Sequence, residues 1–260
     1  MDGRTLKSLS DSPVPVIMGI LNVTPDSFYA ASRVTSVDEV VERARQMVAD
    51  GAAIVDVGAC STRPQSTPVG EEEELQRLLP ALKAIHAALP EVPLSVDTFR
   101  PSVAEECVRR FGPSLIINDV SGGEAALAGV PYVLMCPTAD PEAFFEERLP
   151  QLAEKGVTDI ILDPGFGFGK TVEDNYRILS HLSVLHRFGF PLLVGVSRKS
   201  MIYKPLGITP AEALNGTTVL HTIALQQGAA ILRVHDVSAA TQCIRLNQLL
   251  SANSKISILN

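Results

Sequence analysis

Residues 159–170 read DIILDPGFGFGK. An apolar run, Ile160, Ile161 and Leu162, ends on a single acid, Asp163. Pro164 then breaks regular structure, and three glycines alternate with two phenylalanines before Lys170. A short apolar run closed by such punctuation reads as a buried strand that delivers one carboxylate at its carboxyl end. The loop behind it is too glycine-rich and too aromatic for a linker. It resembles a phosphate cradle but fits neither the dinucleotide fingerprint nor the Walker spacing. A segment needing close backbone approach is expected instead, with Phe168 as a pocket wall. Asp163 is accordingly expected at the floor of a ligand pocket, with other strands ending around it.

The pattern of an apolar run followed by a polar end recurs in both directions. Strands are expected from Val14 to Asn22, in AAIVDVG ending near Gly58, and in VPLSVD ending at Asp97. Others are SLIINDV with Asn118 and Asp119, PYVLMCP reaching Met135, PLLVGVS before Arg198 and Lys199, and AAILRVHD with Arg233 and His235. Helical spacing separates them. Ser36 reads as an N-cap with Glu39 at the capping-box position, and Gly51 stops that helix. Glu71 to Glu74 place negative charge on the first turn of the next, where the macrodipole favours it. Pro101 opens a third helix, which Gly112 and Pro113 end. A brief helix is expected around Glu124 to Gly129 and an amphipathic one over Glu142 to Lys155. Further helices are expected over Val172 to Phe188, Pro210 to Gly228 and about Ser238 to Leu250. Such alternation implies a parallel sheet, because parallel strands need crossovers. An open doubly wound sheet is possible; eight βα units within 260 residues favour an α/β single domain, the (β/α)8 TIM barrel. Residues 1–13 are expected as an extension, 14–250 as the barrel and 251–260 as a tail.

Formal net charge is -7, so no global basic field attracts nucleic acid or an anionic membrane surface. The first residues lack the apolar core of a secretion signal, and no apolar run approaches the ~20 residues of a membrane span. Cys60, Cys107, Cys136 and Cys243 lie far apart without CxxC pairing. A reduced, cytoplasmic protein is expected.

In a barrel the strand ends converge on one mouth, the catalytic face of this fold. Asp97, Asn118 and Asp163 would form an acceptor-rich floor, suited to a flat heterocycle presenting neighbouring N–H donors. Arg63, Lys199, Arg233 and His235 would make a cationic rim, and the seventh and eighth strands, which carry the last three, are where this fold frequently binds phosphate. The pocket therefore asks for a ligand with an N–H-rich ring at one end and an anion at the other. His86, His181, His186 and His221 fall within helical patterns and read as surface or packing residues. No His/Cys/Asp grouping has zinc-site spacing. Met135 reads more readily as core than as a contact.

Taken in order, MGILNVTPDSF (from Met18), STRP (from Ser61), SVDT (from Ser95), INDVSGG, LDPGFGFGK, LLVGVSRKSM and RVHDV resemble the dihydropteroate synthase family. The resemblance runs from about Val14 to Leu250. It implies a transferase of folate biosynthesis that condenses 6-hydroxymethyl-7,8-dihydropterin diphosphate with 4-aminobenzoate. It also implies Mg2+ as cofactor, a homodimer, and a target of sulfonamides. The family's pterin site falls on Asp97, Asn118, Met135, Asp163, Phe168 and Lys199. Its diphosphate site falls on Asn22, Thr62, Arg233 and His235, with Mg2+ near Asn22. The aminobenzoate site falls on Thr62, Arg63, Pro64, Phe168 and Ser200. Asp97, Asp163, Lys199 and Arg233 would carry the chemistry. In the family the first two βα loops close over the substrates; here they correspond to 24–33 and 59–70. The chain departs from the family pattern at Tyr29 to Ser32, at Ala59, Cys60 and Gln65, and at Cys136 beside Met135. Two other readings stay open. One is a pterin-dependent methyltransferase barrel, which has no use for the STRP loop or the Arg233/His235 pair. The other is a non-catalytic pterin-binding paralogue.

Overall fold

The computed structural model describes residues 14–23, 33–60 and 69–254. The expected strands are all present there: β1 (Val16–Asn22), β2 (Ile54–Gly58), β3 (Leu94–Asp97), β4 (Ile116–Asp119), β5 (Tyr132–Met135), β6 (Ile160–Asp163), β7 (Leu193–Val194) and β8 (Ile231–Val234). They pair in parallel in the order β6-β5-β4-β3-β2-β1-β8-β7. Each strand thus lies beside its sequence neighbour, and a single bridge, Leu162↔Leu192, joins β6 to the start of β7. That closes the ring. The fold is the (β/α)8 barrel and not an open doubly wound sheet.

The surrounding helices are α1 (Arg33–Ala49), α2 (Glu71–Ala88), α3 (Pro101–Phe111), α4 (Pro141–Glu154), α5 (Val172–Ser180), α6 (Ser200–Leu206), α7 (Leu214–Gln226) and α8 (Val237–Ser254). In α3, Pro101 occupies the first turn, Val103, Ala104 and Cys107 face the barrel, and Gly112 ends the helix at φ 89. In α5, Thr171 and Asp174 form a capping box.

Several expected elements differ. Segment 124–129 forms turns, not a helix. The buried Asp119 carboxylate collects the N–H groups of Ser121, Gly123 and Ala125, and the Ser121 and Tyr132 hydroxyls. Those backbone donors are thereby withdrawn from any helical ladder. The span Val172 to Phe188 splits at His181 into α5 and a 3-10 helix, Leu182–Phe188. Pro210 opens only a 3-10 turn, Pro210–Glu212, before α7 starts at Leu214. Because α1 starts at Arg33, Ser36 lies inside the helix and not at its cap. Residues 251–254 continue α8, and α6 was not anticipated.

Strand alternation divides the interior. Met18, Ile54, Ile116, Val133, Ile161, Leu193 and Ile231 form an apolar cluster of their own inside the barrel. Two positions further along the same strands stand Ile20, Asp56, Asn118, Met135, Asp163, Gly195 and Arg233. A period of two puts them on the same inward face, one layer nearer the carboxyl ends. The opposite faces of the strands pack against the helices in the main core. A polar layer therefore rests on a dry plug.

Candidate active site

Register brings the ends of neighbouring strands together. Asn22 pairs with Gly58, Gly58 with Asp97, and Asp97 with Asn118; Met135 pairs with Asp163. At the centre of the floor, Arg233 Nε donates to Asp56 Oδ2 at 2.7 Å, and Nη2 donates to Asp97 Oδ2 at 2.6 Å. Asn118 Nδ2 donates to the same Asp56 oxygen at 3.0 Å. This corrects the expected rim position of Arg233, which lies within the floor between two acids. Asp56 is fully buried and was missed by the sequence reading. It sits mid-strand in IVDVG, where attention to strand ends passes it over. The available signal was a lone acid in a buried apolar strand, two residues before Gly58 and so on the same face.

Burial raises the Asp97 carboxyl to about 6, with Asp56 adding to the rise and Arg233 opposing it. For Arg233, burial disfavours the charge, but the carboxylates of Asp56 and Asp97 outweigh it and hold the guanidinium above its ordinary value.

The other half of the floor is built by the glycine loop. Asp163 Oδ1 accepts the Gly165 N–H at 2.8 Å. Gly165 has φ +73, and a Cβ there would come within 2.1 Å of the Cys136 carbonyl oxygen, so only glycine fits. The expected close backbone approach is therefore real. Lys170 Nζ donates to the carbonyls of Cys136, Gly165 and Phe168 at 2.8, 2.9 and 3.2 Å, stapling the loop to the end of β5. Lys199 Nζ donates to the Phe166 carbonyl and lies 4.5 Å from the Phe168 ring centroid. Burial lowers the Lys199 ammonium to about 8, against the pull of Asp163. Burial likewise raises Asp163, opposed by Lys199 and by the Gly165 N–H. Gly195 stands beside both cations: an added Cβ would lie 3.8 Å from Arg233 Cβ and from Lys199 Nζ.

The rim is more open. Asn22 and His235 are exposed, and His235 Nδ1 lies 3.1 Å from Ser197 Oγ. Ser200, half-buried, follows Lys199 at the first position of α6. Met135 is buried beside Asp163. Thr62, Arg63, Pro64 and Gln65, and the loop residues 24–32, lie outside the described residues. The described residues contain no cluster of three or more His, Cys, Asp or Glu able to hold a metal ion. Mg2+ needs only one or two protein oxygens when phosphate and water complete its shell. Asn22 offers one such oxygen: it is exposed at the end of β1 beside Gly58, whose added Cβ would lie 3.4 Å from Asn22 Oδ1. A cavity of about 510 Å3 lined by Asp159, His186 and Gly228 lies at the other end of the barrel, away from these groups.

The chain matches the Pterin binding enzyme family over residues 18–235. It is 40% identical over 257 residues to the dihydropteroate synthase of Escherichia coli K12, spanning 89% of this chain and 90% of that relative. Among solved structures, Xanthomonas albilineans dihydropteroate synthase with 4-aminobenzoic acid aligns at a TM-score of 0.84 and 37% identity, covering 92% of this chain and 94% of that one. The Yersinia pestis enzyme in a sulfonamide drug complex aligns at 0.82 and 36% identity, covering 92% and 95%. With likeness of this extent in sequence and in fold, the chain belongs to the dihydropteroate synthase family of pterin-binding enzymes.

Proposed function

We propose that this protein condenses 6-hydroxymethyl-7,8-dihydropterin diphosphate with 4-aminobenzoate, giving 7,8-dihydropteroate and diphosphate. The observation that carries most weight is the convergence of Asp97, Asn118, Asp163 and Lys199 above the apolar plug. Three carboxylates, Asp56, Asp97 and Asp163, face two cations, Lys199 and Arg233. In our assignment Asp163 and Asp97 accept the pterin's N–H groups, Asn118 supplies a neutral amide, and the Lys199 ammonium donates to a ring acceptor. Phe168 and Met135 bound the ring. The acids also stabilise positive charge as the methylene C–O bond breaks and its electron pair leaves with the diphosphate. The amine of 4-aminobenzoate then forms the new C–N bond and loses a proton. No protein nucleophile is required.

Asn22, Thr62 and His235 are assigned to the diphosphate. Asp56 and Asp97 occupy Nε and Nη2 of Arg233, so a diphosphate contact from this residue falls to Nη1. Asn22 would hold Mg2+ together with diphosphate oxygens, and the ion would neutralise the leaving group's charge. The aminobenzoate ring is assigned to the Phe168 face, with Thr62, Arg63, Pro64 and Ser200 around it. A homodimer is proposed through the exposed apolar residues of α7 and α8. No described helix is long and apolar enough to cross a membrane. The free thiols Cys60, Cys107, Cys136 and Cys243 suit the reducing cytoplasm, which is the location we propose.

The test mixes purified protein with the pterin diphosphate, 4-aminobenzoate and Mg2+ and measures dihydropteroate. Product formation that stops when 4-aminobenzoate is omitted is expected. No product, with pterin binding intact, would leave a non-catalytic pterin-binding protein instead.

A further inference from the structure

β7 is two residues long, and its ladder with β8 ends at Val194↔Leu232. The groups assigned to substrate come after that point, Lys199 on one side and Arg233 and His235 on the other. No strand pairing fixes the distance between Lys199 and His235. Two side-chain pairs take over where the ladder stops. His235 N–H donates to Ser197 Oγ at 3.2 Å, and its Nδ1 lies 3.1 Å from the same oxygen. One residue further along each segment, Arg198 and Asp236 form two parallel bonds, Nε to Oδ2 at 2.7 Å and Nη2 to Oδ1 at 2.8 Å.

Arg198 is also the one non-glycine residue with positive φ among the described residues, at 54°. That conformation is disfavoured for a residue with a side chain and persists where surrounding contacts over-determine it. They do so here. The Arg198 N–H donates to Thr217 Oγ1 at 3.0 Å, and Nη1 donates to the carbonyls of Pro210 and Ala211 at 2.9 and 2.6 Å. The resulting turn sends Ser197 toward His235 and Lys199 back over the Phe168 ring. The Arg198 and Asp236 side chains are 24% and 26% exposed. An ion pair that wet adds little to stability, whereas a two-bond fork fixes direction and distance.

We propose that Arg198 and Asp236 are positioning residues, whose pair sets the separation of Lys199 and His235 so that pterin ring and diphosphate are held in one geometry. This rests on the substrate assignment of the preceding section. The experiment is calorimetric titration of the full-length protein with 6-hydroxymethylpterin and, separately, with inorganic diphosphate. It uses wild type, Asp236→Asn, Asp236→Glu and Arg198→Lys, each with its thermal midpoint. Asp236→Asn should weaken both ligands about tenfold or more, the scale of one lost charge-assisted bond. Asp236→Glu should recover most of both, because the carboxylate fork returns. Arg198→Lys should resemble Asp236→Asn, since a point ammonium cannot replace the fork. Affinities within about twofold of wild type for Asp236→Asn would overturn the clamp, and so would loss of one ligand alone. Losses that merely follow the unfolded fraction, without recovery in the Glu variant, would do the same. A wild type that binds neither ligand would overturn the substrate assignment and the clamp together; a wild type that binds both beside unaffected variants would overturn the clamp alone.

Discussion

In the proposed assignment Asp163 and Asp97 accept a ring's N–H edge as buried carboxylates, and their charge is supported by different neighbours. Asp163 has Lys199 and a backbone N–H; Asp97 has Arg233 but also faces Asp56. Replacing Asp163 by Asn preserves shape but turns one acceptor oxygen into a donor facing donors. Pterin affinity should fall at least about fivefold, since a buried unpaired group costs about 1–3 kcal/mol or more; an unchanged dissociation constant would remove Asp163 from the site. The pH dependence follows from the same groups. If Asp97 accepts from the pterin as a carboxylate, pterin affinity should rise as pH passes about 6. Lys199 donates as an ammonium, so affinity should fall again as pH passes about 8. Titrations from pH 5 to 9 should give a bell whose limbs belong to the coupled set, and a flat profile would separate binding from both residues. The positions of Asp97 and Asp163 were legible because each closes its strand before turn-forming residues, and that of Asn118 because it stands one residue before the end of β4. Asp56 was not, because its importance depends on which face of β2 it occupies. Arg233 was misplaced for a related reason. Its acids lie on strands 177 and 136 residues away, and its place at the end of a strand where this fold frequently binds phosphate pointed to a rim.

The glycine loop shows what one element must do to present Phe168 and the Asp163 carboxylate at once. Its glycines adopt positive φ, and the turn is closed by an ammonium bonded to three carbonyls. Lys170→Met would leave those carbonyls without their donor. A loss of about 2 kcal/mol is expected, roughly 4–8 °C in thermal midpoint for a domain of this size. The affinity for 4-aminobenzoate should weaken as well, because Phe168 Cα follows the loop; a melting loss with aminobenzoate affinity intact would detach the loop from that site. Gly165→Ala is expected to be worse, since its Cβ meets the Cys136 carbonyl, a backbone atom that cannot rotate away. The loop was recognisable in the sequence by its glycines, and its staple was not, because nothing local says that Lys170 folds back onto β5. Helix ends failed in the same way. The brief helix after β4 was displaced by Asp119, and the division at His181 follows no strong breaker.

Across the whole molecule, barrel closure was readable because eight apolar runs alternate with crossovers, while the lining of the mouth depends on contacts between distant strands. The structure also leaves large apolar side chains exposed on the last two helices. On α8, Leu246, Leu249 and Leu250 are 67%, 56% and 59% exposed, and their spacing places them on one helical face. The adjoining α7, which meets α8 at Thr222 and Cys243, exposes Val219 at 52%. These exposed apolar side chains on two packed helices are the surface through which the homodimer was proposed. If a second copy covers it, the wild type should sediment as a dimer, and Leu246→Lys combined with Leu250→Lys should sediment as a monomer. The residues assigned to the pterin all come from one chain, so the monomeric variant should keep pterin affinity within about twofold. A wild type that is already monomeric, or a variant that stays dimeric, would put the partner surface elsewhere. A monomer that loses pterin binding while still folded would instead mean that the second copy steadies the mouth through the helices behind β8.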